Sequence, residues 1–321
     1  MKIFFKKFLY IILMMFIISL ISFLAIHIAP NSFFASGELN PNITKESIEH
    51  LKKIYGLDKP LVVQYLSWIW AILHFDFGVS FASGKMVKDE ILGRIGITLL
   101  MNFISMIFVF MLSIYFGIKS ALKQGSYLDK SVRQFALVSY AMPSFYLALL
   151  LISLFSVYLK WLPISGLHSI EPKSGIWWYL DFAWHLVLPI FIMVFGGVGT
   201  LSMYVRSLSL DILKSDYIFF AKSRGIDEKV IFKRFIIPNL YPPIVTILGL
   251  SIPGMIGGSV ILESIFSING MGLLFFQSAM SRDYPVIMGI LIISTFLTLF
   301  GNVVADLMLL KLNPHFARAK G

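Results

Sequence analysis

Cysteine is absent from the sequence, which excludes disulfides and thiol chemistry in this chain without identifying a compartment. Charge is scarce as well. Asp, Glu, Lys and Arg make up 14% of the 321 residues against 58% apolar ones, and the mean hydropathy is +0.83. Soluble domains carry about a quarter charged residues, so an ordinary water-facing fold is excluded and the natural solvent of this chain is lipid. Several chemistries lack their signatures. The nearest approach to a phosphate loop, Ser83-Gly84-Lys85-Met86, has neither the upstream glycine spacing nor the terminal hydroxyl that phosphate and magnesium require. None of His27, His50, His74, His168, His185 and His315 is paired at the i, i+4 spacing of a helical metal site. Neither a His-Glu-x-x-His motif nor a paired Ser and His at membrane depth marks an intramembrane protease. No internal repeat, low-complexity tract or flexible linker divides the chain, which reads as one membrane domain.

What the sequence does contain is long apolar runs. Six of them lack any Asp, Glu, Lys or Arg: Phe8 to Ile28, Ile97 to Ile118, Gln134 to Leu159, His185 to Val205, Asn239 to Leu262 and Tyr284 to Ala305. Each approximates the roughly 20 residues that cross a bilayer as a helix, and their continuity excludes the short alternating segments of a membrane barrel. The expected fold class is all-α, with about six transmembrane helices. The first run follows Lys2, Lys6 and Lys7 as a signal peptide would, but about 21 apolar residues exceed the roughly 7 to 15 of a signal core, so an uncleaved anchor is expected.

Basic residues orient the spans. Lys2, Lys6 and Lys7, then Lys119, Lys123, Lys130 and Arg133, then the loop from Arg206 to Arg234, and finally Lys311, Arg318 and Lys320 all fall on one side of a six-span arrangement. By the positive-inside rule that side, with both termini, is cytoplasmic. The formal charge of +10 belongs to this side, which leaves a nucleic-acid reading without support. The expected organisation is residues 1–29 as N-terminal tail and first span, residues 30–96 as an external cap, and residues 97–321 as a five-helix transmembrane core with a cytoplasmic loop at 206–238. In the cap, the turn signal Asn40-Pro41-Asn42 precedes a helical stretch from Ser47 to Tyr55, and Trp68, Trp70, Phe75, Phe77 and Phe81 read as interfacial anchors.

Polar groups near the membrane are few. A secondary transporter or channel is the alternative functional class, but a coupled carrier places ionisable groups near the midplane and the six runs have none there. Asp306 with Lys311 reads as an ion pair near the inner face, and Glu263 as an outer residue that is either solvated or in contact with another protein.

The most informative segment is the cytoplasmic loop. Its residues Ser215 to Gly225 and Ile226 to Pro238 read as two short helices. Ser215 is a candidate N-cap, Asp216 suits the first turn and Gly225 a left-handed end; Asp227 caps the second helix, which Pro238 ends. Amphipathic patterning alone fits either a partner-docking helix pair or a loop lying on the anionic inner leaflet.

The loop resembles the EAA loop of ABC importer permeases, with Ala221, Gly225 and Pro238 at matching spacing, Phe235 and Ile237 at the apolar positions, and Phe219 and Phe220 in place of the first two letters. It is more similar still to the dipeptide, oligopeptide and nickel branch of these binding-protein-dependent inner membrane components, through Asp216-Tyr217-Ile218, Ala221, Arg224-Gly225, Asn239, Pro243, Val245 and Thr246. Ala29-Pro30, Gly56 to Pro60, Pro143-Ser144-Phe145, Leu162-Pro163, His185 to Pro189 and Arg282-Asp283-Tyr284-Pro285 extend the resemblance over most of the chain.

The resemblance implies a permease of a bacterial inner membrane that forms half of a pathway for di- or oligopeptides or nickel. It implies a second permease, two ATP-binding subunits and an external solute-binding protein as partners, besides lipid and without nucleic acid. ATP and Mg would be used by the ATPase, with no cofactor or metal bound and no catalytic residue in this chain. Asp216, Tyr217, Ala221, Arg224, Gly225 and Pro238 would couple it to the ATPase. From the residues themselves, Pro253, Gly254, Gly257 and Gly258 are expected to let the fifth span bend or pack closely, as pathway or gating positions.

Overall fold

The computed structural model describes residues 2–28, 59–171, 173–255 and 257–312. Among them the chain is helical, with one isolated antiparallel bridge between Val79 and Met86 as its only β feature. The helices are α1 Lys2–Ile28, α2 Leu61–Leu73, α3 Val87–Leu122, α4 Tyr127–Ala141, α5 Ser144–Tyr158, α6 Ile176–Leu213, α7 Asp216–Ser223, α8 Glu228–Ser251, α9 Val260–Ile265, α10 Met271–Ser281 and α11 Tyr284–Leu312. Four of them, α3, α6, α8 and α11, are each long and apolar enough to cross a membrane, and α4 with α5 make a fifth if the bent pair counts as one span. The expected helix at Ser47 to Tyr55 lies outside the described residues, as do the side chains of Asp306 and Lys311.

Three expected spans differ in shape. The third is broken: α4 and α5 meet at 100°. Pro143 disfavours the helical conformation in the residue before it, and Met142 is extended at φ −88°, ψ 117°. The fourth, α6, keeps Pro189 inside a continuous 38-residue helix of about 57 Å, well beyond the roughly 30 Å hydrocarbon layer. The fifth begins earlier and ends earlier than its apolar run. Pro238 does not end a helix; the helical path runs from Glu228 to Ser251, with a wider π turn at Phe232–Ile236 just ahead of that proline.

The chain forms two compact units, built from residues 1–98, 256–260 and 269–300, and from residues 99–255, 261–268 and 301–321. In the first, Val87 and Ile91 of α3 are buried with Met271 and Leu274 of α10 and Val286 and Ile290 of α11. The Thr98 hydroxyl accepts from the Met271 amide at 2.9 Å, which satisfies a backbone donor at the start of α10. A second cluster joins Phe23 of α1 to Tyr65 of α2 and to Met288, with the Phe23 and Tyr65 rings 5.3 Å apart and Ser19 Oγ 2.8 Å from the Tyr65 hydroxyl. Trp68 joins this cluster, 6.0 Å from Phe23, so it is a packing residue.

The core of the second unit is assembled from α3, α6, α7 and α8. Phe110, Ile118, Leu201, Val205, Ile212, Ile218, Ala221, Ile231, Ile236, Leu240 and Ile244 form one buried cluster. At Gly117, α3 and α6 touch backbone to backbone; a Cβ there would lie 2.7 Å from Val205 Cβ and 2.8 Å from the Ser202 carbonyl oxygen. Glu263, expected at the outer surface, is instead buried within α9. His185 sits one turn past Asp181, its Nδ1 2.8 Å from the Asp181 carbonyl, and the Asp181 carboxylate holds Ser169 and Lys173 of the preceding loop at 2.5 to 3.1 Å.

Candidate functional site: a short helix docked at the end of α6

The segment from Ser215 to Pro238 is held by local chemistry before any packing is considered. The Ser215 hydroxyl does not cap α7 but donates back to the Ile212 carbonyl at 2.5 Å, while its own carbonyl accepts from the Ile218 and Phe219 amides at 3.1 Å. α7 ends in a full Schellman arrangement: Ile226 N–H donates to Ala221 O at 3.2 Å and Gly225 N–H to Lys222 O at 2.9 Å, with Gly225 at φ +69°. Only glycine adopts that conformation without strain, which is why Gly225 separates the two helices. Asp227 caps α8 through Oδ1, which accepts from the Lys229 amide at 2.6 Å.

Packing then fixes which way α7 faces. Ile218 is 0% and Ala221 5% exposed, both within the cluster formed with Val205, Ile212, Ile231 and Ile236. Tyr217 stacks on Phe235 of α8 with ring centroids 6.5 Å apart. Asp216, Phe219, Phe220, Lys222, Ser223 and Arg224 are exposed. Five of the residues singled out by sequence, Asp216, Tyr217, Ala221, Arg224 and Gly225, therefore lie on one short docked helix and its cap, with Ala221 facing inward. Pro238 lies two turns into α8, exposed.

Beside this segment is a cluster that sequence reading did not pair. Asp129, in the first turn of α4, is 1% exposed and binds Arg206 of α6 through two bonds, Nε to Oδ1 at 2.6 Å and an Nη to Oδ2 at 2.9 Å. Ser120 Oγ of α3 donates to Oδ1 at 2.5 Å, and the Gly125 amide to Oδ2 at 2.9 Å. One carboxylate thus ties together three helices and the turn between two of them. The only sequence signal was two opposite charges bordering different apolar runs on the same assigned side.

The other predicted positions stand apart from this segment. Pro253 begins a 3-10 turn to Met255, and Gly258 has φ +62°. A Cβ at Gly254 or Gly257 would meet no atom within 4 Å. The helical path is interrupted between Ser251 and Val260, so the expected bend is a break between helices.

Residues 112–318 match the family described as binding-protein-dependent transport system inner membrane component, and residues 1–102 match the N-terminal family of the same membrane components. The oligopeptide transport system permease protein AppB of Bacillus subtilis is 36% identical over 299 residues, covering 93% of each chain. The peptidoglycan transport system permease protein YejB of Agrobacterium fabrum is 31% identical over 275 residues, 84% of this chain and 76% of that one. A chain of the MetNI methionine ABC transporter, solved in inward-facing conformations, shares the fold with a TM-score of 0.55 at 16% identity, over 70% of this chain and 96% of its own. The chain thus belongs to the binding-protein-dependent transport system inner membrane components, the permease subunits of ABC importers.

Proposed function

We propose that this permease carries di- or oligopeptides, that it forms half of the translocation pathway beside a second permease, and that it is driven by two ATP-binding subunits and fed by an external solute-binding protein. The names of its relatives support the peptide reading. ATP and Mg act in the partner ATPase; this subunit binds neither and performs no hydrolysis. Six spans, formed by α1, α3, the α4–α5 pair, α6, α8 and α11, place both termini in the cytoplasm, with residues 30–96 as the external segment and 97–321 as the core. The distribution of Lys and Arg supports this orientation.

The observation that carries the coupling role is the two-sidedness of α7. Its inward face, Ile218 and Ala221, is locked into the cluster of α3, α6 and α8, while its outward face is free of this chain. A force applied to that outward face by a closing ATPase would move α6 and α8 together, because no loose joint lies between them. Asp216, Tyr217, Ala221, Arg224, Gly225 and Pro238 form the coupling element in this reading, and the break carrying Pro253, Gly254, Gly257 and Gly258 is where α8 gates the pathway.

Gly225→Asp tests the coupling element. It introduces a side chain at φ +69° and a charge at the end of the docked helix. Purified in mild detergent, the wild-type assembly is expected to retain an ATP-binding subunit and the variant to lose it. Retention at the wild-type level would remove the coupling role, and ATP hydrolysis by the isolated chain would remove the division of labour.

A further inference from the structure

Resting on the coupling role just proposed, we infer that the Phe219–Phe220 pair is the specificity anchor of this permease for its ATPase, and that the matching surface is an apolar pocket bordered by acidic side chains. Phe219 is 66% and Phe220 62% exposed, and their rings touch edge to face at 5.9 Å. With Ile218 and Ala221 turned into the core, the helical period puts both rings on the outward face.

Lipid is the other apolar environment available, and the neighbours argue against it. Asp216 and Ser223 share the outward face with the rings, Lys222 and Arg224 flank it, and all four are exposed. The Ser223 hydroxyl donates to the Phe219 carbonyl at 3.0 Å, but the Asp216 carboxylate beside the two rings does not suit a hydrocarbon surface, whereas it does suit the polar rim around the aromatic anchors of a protein interface. The rim supplies the charge argument. Lys222, Arg224, Lys229, Lys233 and Arg234 are exposed on α7, its cap and the first turns of α8, against Asp216, Asp227 and Glu228, so the exposed side of the segment that carries the rings is net positive. A partner with acidic side chains around an apolar depression complements it.

The test uses the intact transporter, with both permeases and the ATP-binding subunits made together, and places the photo-crosslinking analogue p-benzoylphenylalanine at 219 or 220. The expected adducts join an ATP-binding subunit, recognised by its Gly-x4-Gly-Lys-Ser/Thr loop, at apolar residues with acidic neighbours. Adducts on phospholipid, or on no ATP-binding subunit, overturn the proposal. In parallel, Phe219→Ala with Phe220→Ala is expected to lower ATPase retention by about tenfold or more, with the melting temperature of the permease unchanged. Phe219→Leu with Phe220→Leu is expected to keep most of it, and Lys222→Glu with Arg224→Glu to weaken it most at low salt. If the double alanine variant retains the ATPase while Gly225→Asp loses it, the anchor is refuted and the coupling role stands. If Gly225→Asp also retains it, the coupling role fails first.

Discussion

Two buried carboxylates, one in each compact unit, solve the same problem with different means. Asp129 meets a full positive charge, the Arg206 guanidinium, at 2.6 and 2.9 Å, with Ser120 and the Gly125 amide filling its remaining acceptor sites. Asp283 is 2% exposed, and the partners it has among the described residues are neutral: Ser80 Oγ at 2.5 Å, the Phe81 amide at 3.1 Å and the Ala82 amide at 3.2 Å. The first ties helix to helix. The second pins a tight turn, in which the Val79–Met86 bridge and the Ser80 to Lys85 carbonyl bond close the loop, onto the start of α11. A charge pair depends on two side chains and is broken by one substitution; a cradle of backbone amides survives most substitutions within it. Sensitivity to mutation should therefore be concentrated at Arg206 in the Asp129 cluster and at Asp283 itself in the other.

The largest expected effect is at Arg206→Met, which removes the bonded counter-charge of the buried Asp129 carboxylate and leaves it only the half-exposed Arg133 guanidinium at 4.0 Å. Loss of one partner of a buried ion pair costs about 3–5 kcal/mol, so the purified permease should melt well below wild type in detergent. Adding Asp129→Asn to Arg206→Met should recover a substantial part of that loss, because the uncompensated charge is gone; a double variant no better than the single one would show that Arg206 acts through its packed stem instead. Next comes Asp283→Ala. It strands the buried Ser80 hydroxyl, at about 1–3 kcal/mol, while the Phe81 and Ala82 amides, in a partly exposed and an exposed residue, can turn to water. The expected readout is a lowered melting temperature accompanied by faster proteolysis within 77–86. Unchanged cleavage there would mean that the bridge between Val79 and Met86 holds the turn unaided.

Much of this arrangement was legible in the sequence wherever the signal was local. The long helices followed from continuous apolar runs, and the two-helix form of the segment after Lys214 from Asp216, Gly225 and Asp227, each of which acts on a backbone within a few residues of itself. Legibility failed where one local rule met another. Pro143 and Pro238 both sit in apolar surroundings, yet one breaks a span at 100° and the other rides in a continuous helix behind a π turn. The difference lies in whether the preceding turn can widen to absorb the missing amide, and hydropathy does not record that. Ser215 had the right residue type for a cap, but its hydroxyl had a nearer acceptor in Ile212. The two carboxylate clusters were out of reach altogether, since Asp129 and Arg206 are 77 residues apart and Ser80 and Asp283 are 203 apart.

The smallest effect separates the two designs most sharply. Ser80→Ala removes the shortest bond to Asp283 but leaves the Phe81 and Ala82 amides in place. The corresponding change in the other cluster, Ser120→Ala, removes a bond of the same length, 2.5 Å, from a carboxylate that keeps its guanidinium. A hydrogen bond to a charged group contributes about 1.5–3 kcal/mol, but the remaining partner decides how much of that is felt. With Arg206 in place Asp129 loses a secondary donor, and the Arg206 Nε–H, which also reaches Ser120 Oγ at 3.1 Å, keeps Asp129 Oδ1 as its acceptor at 2.6 Å, so Ser120→Ala should lie near the low end of that range. Asp283 has no such charge behind it among its described partners, and the Ser83 amide also loses Ser80 Oγ as its acceptor at 3.0 Å. Ser80→Ala should therefore melt at a lower temperature than Ser120→Ala. Equal melting temperatures would mean that backbone amides compensate a buried carboxylate as fully as a guanidinium does, and the distinction drawn between the two clusters would vanish.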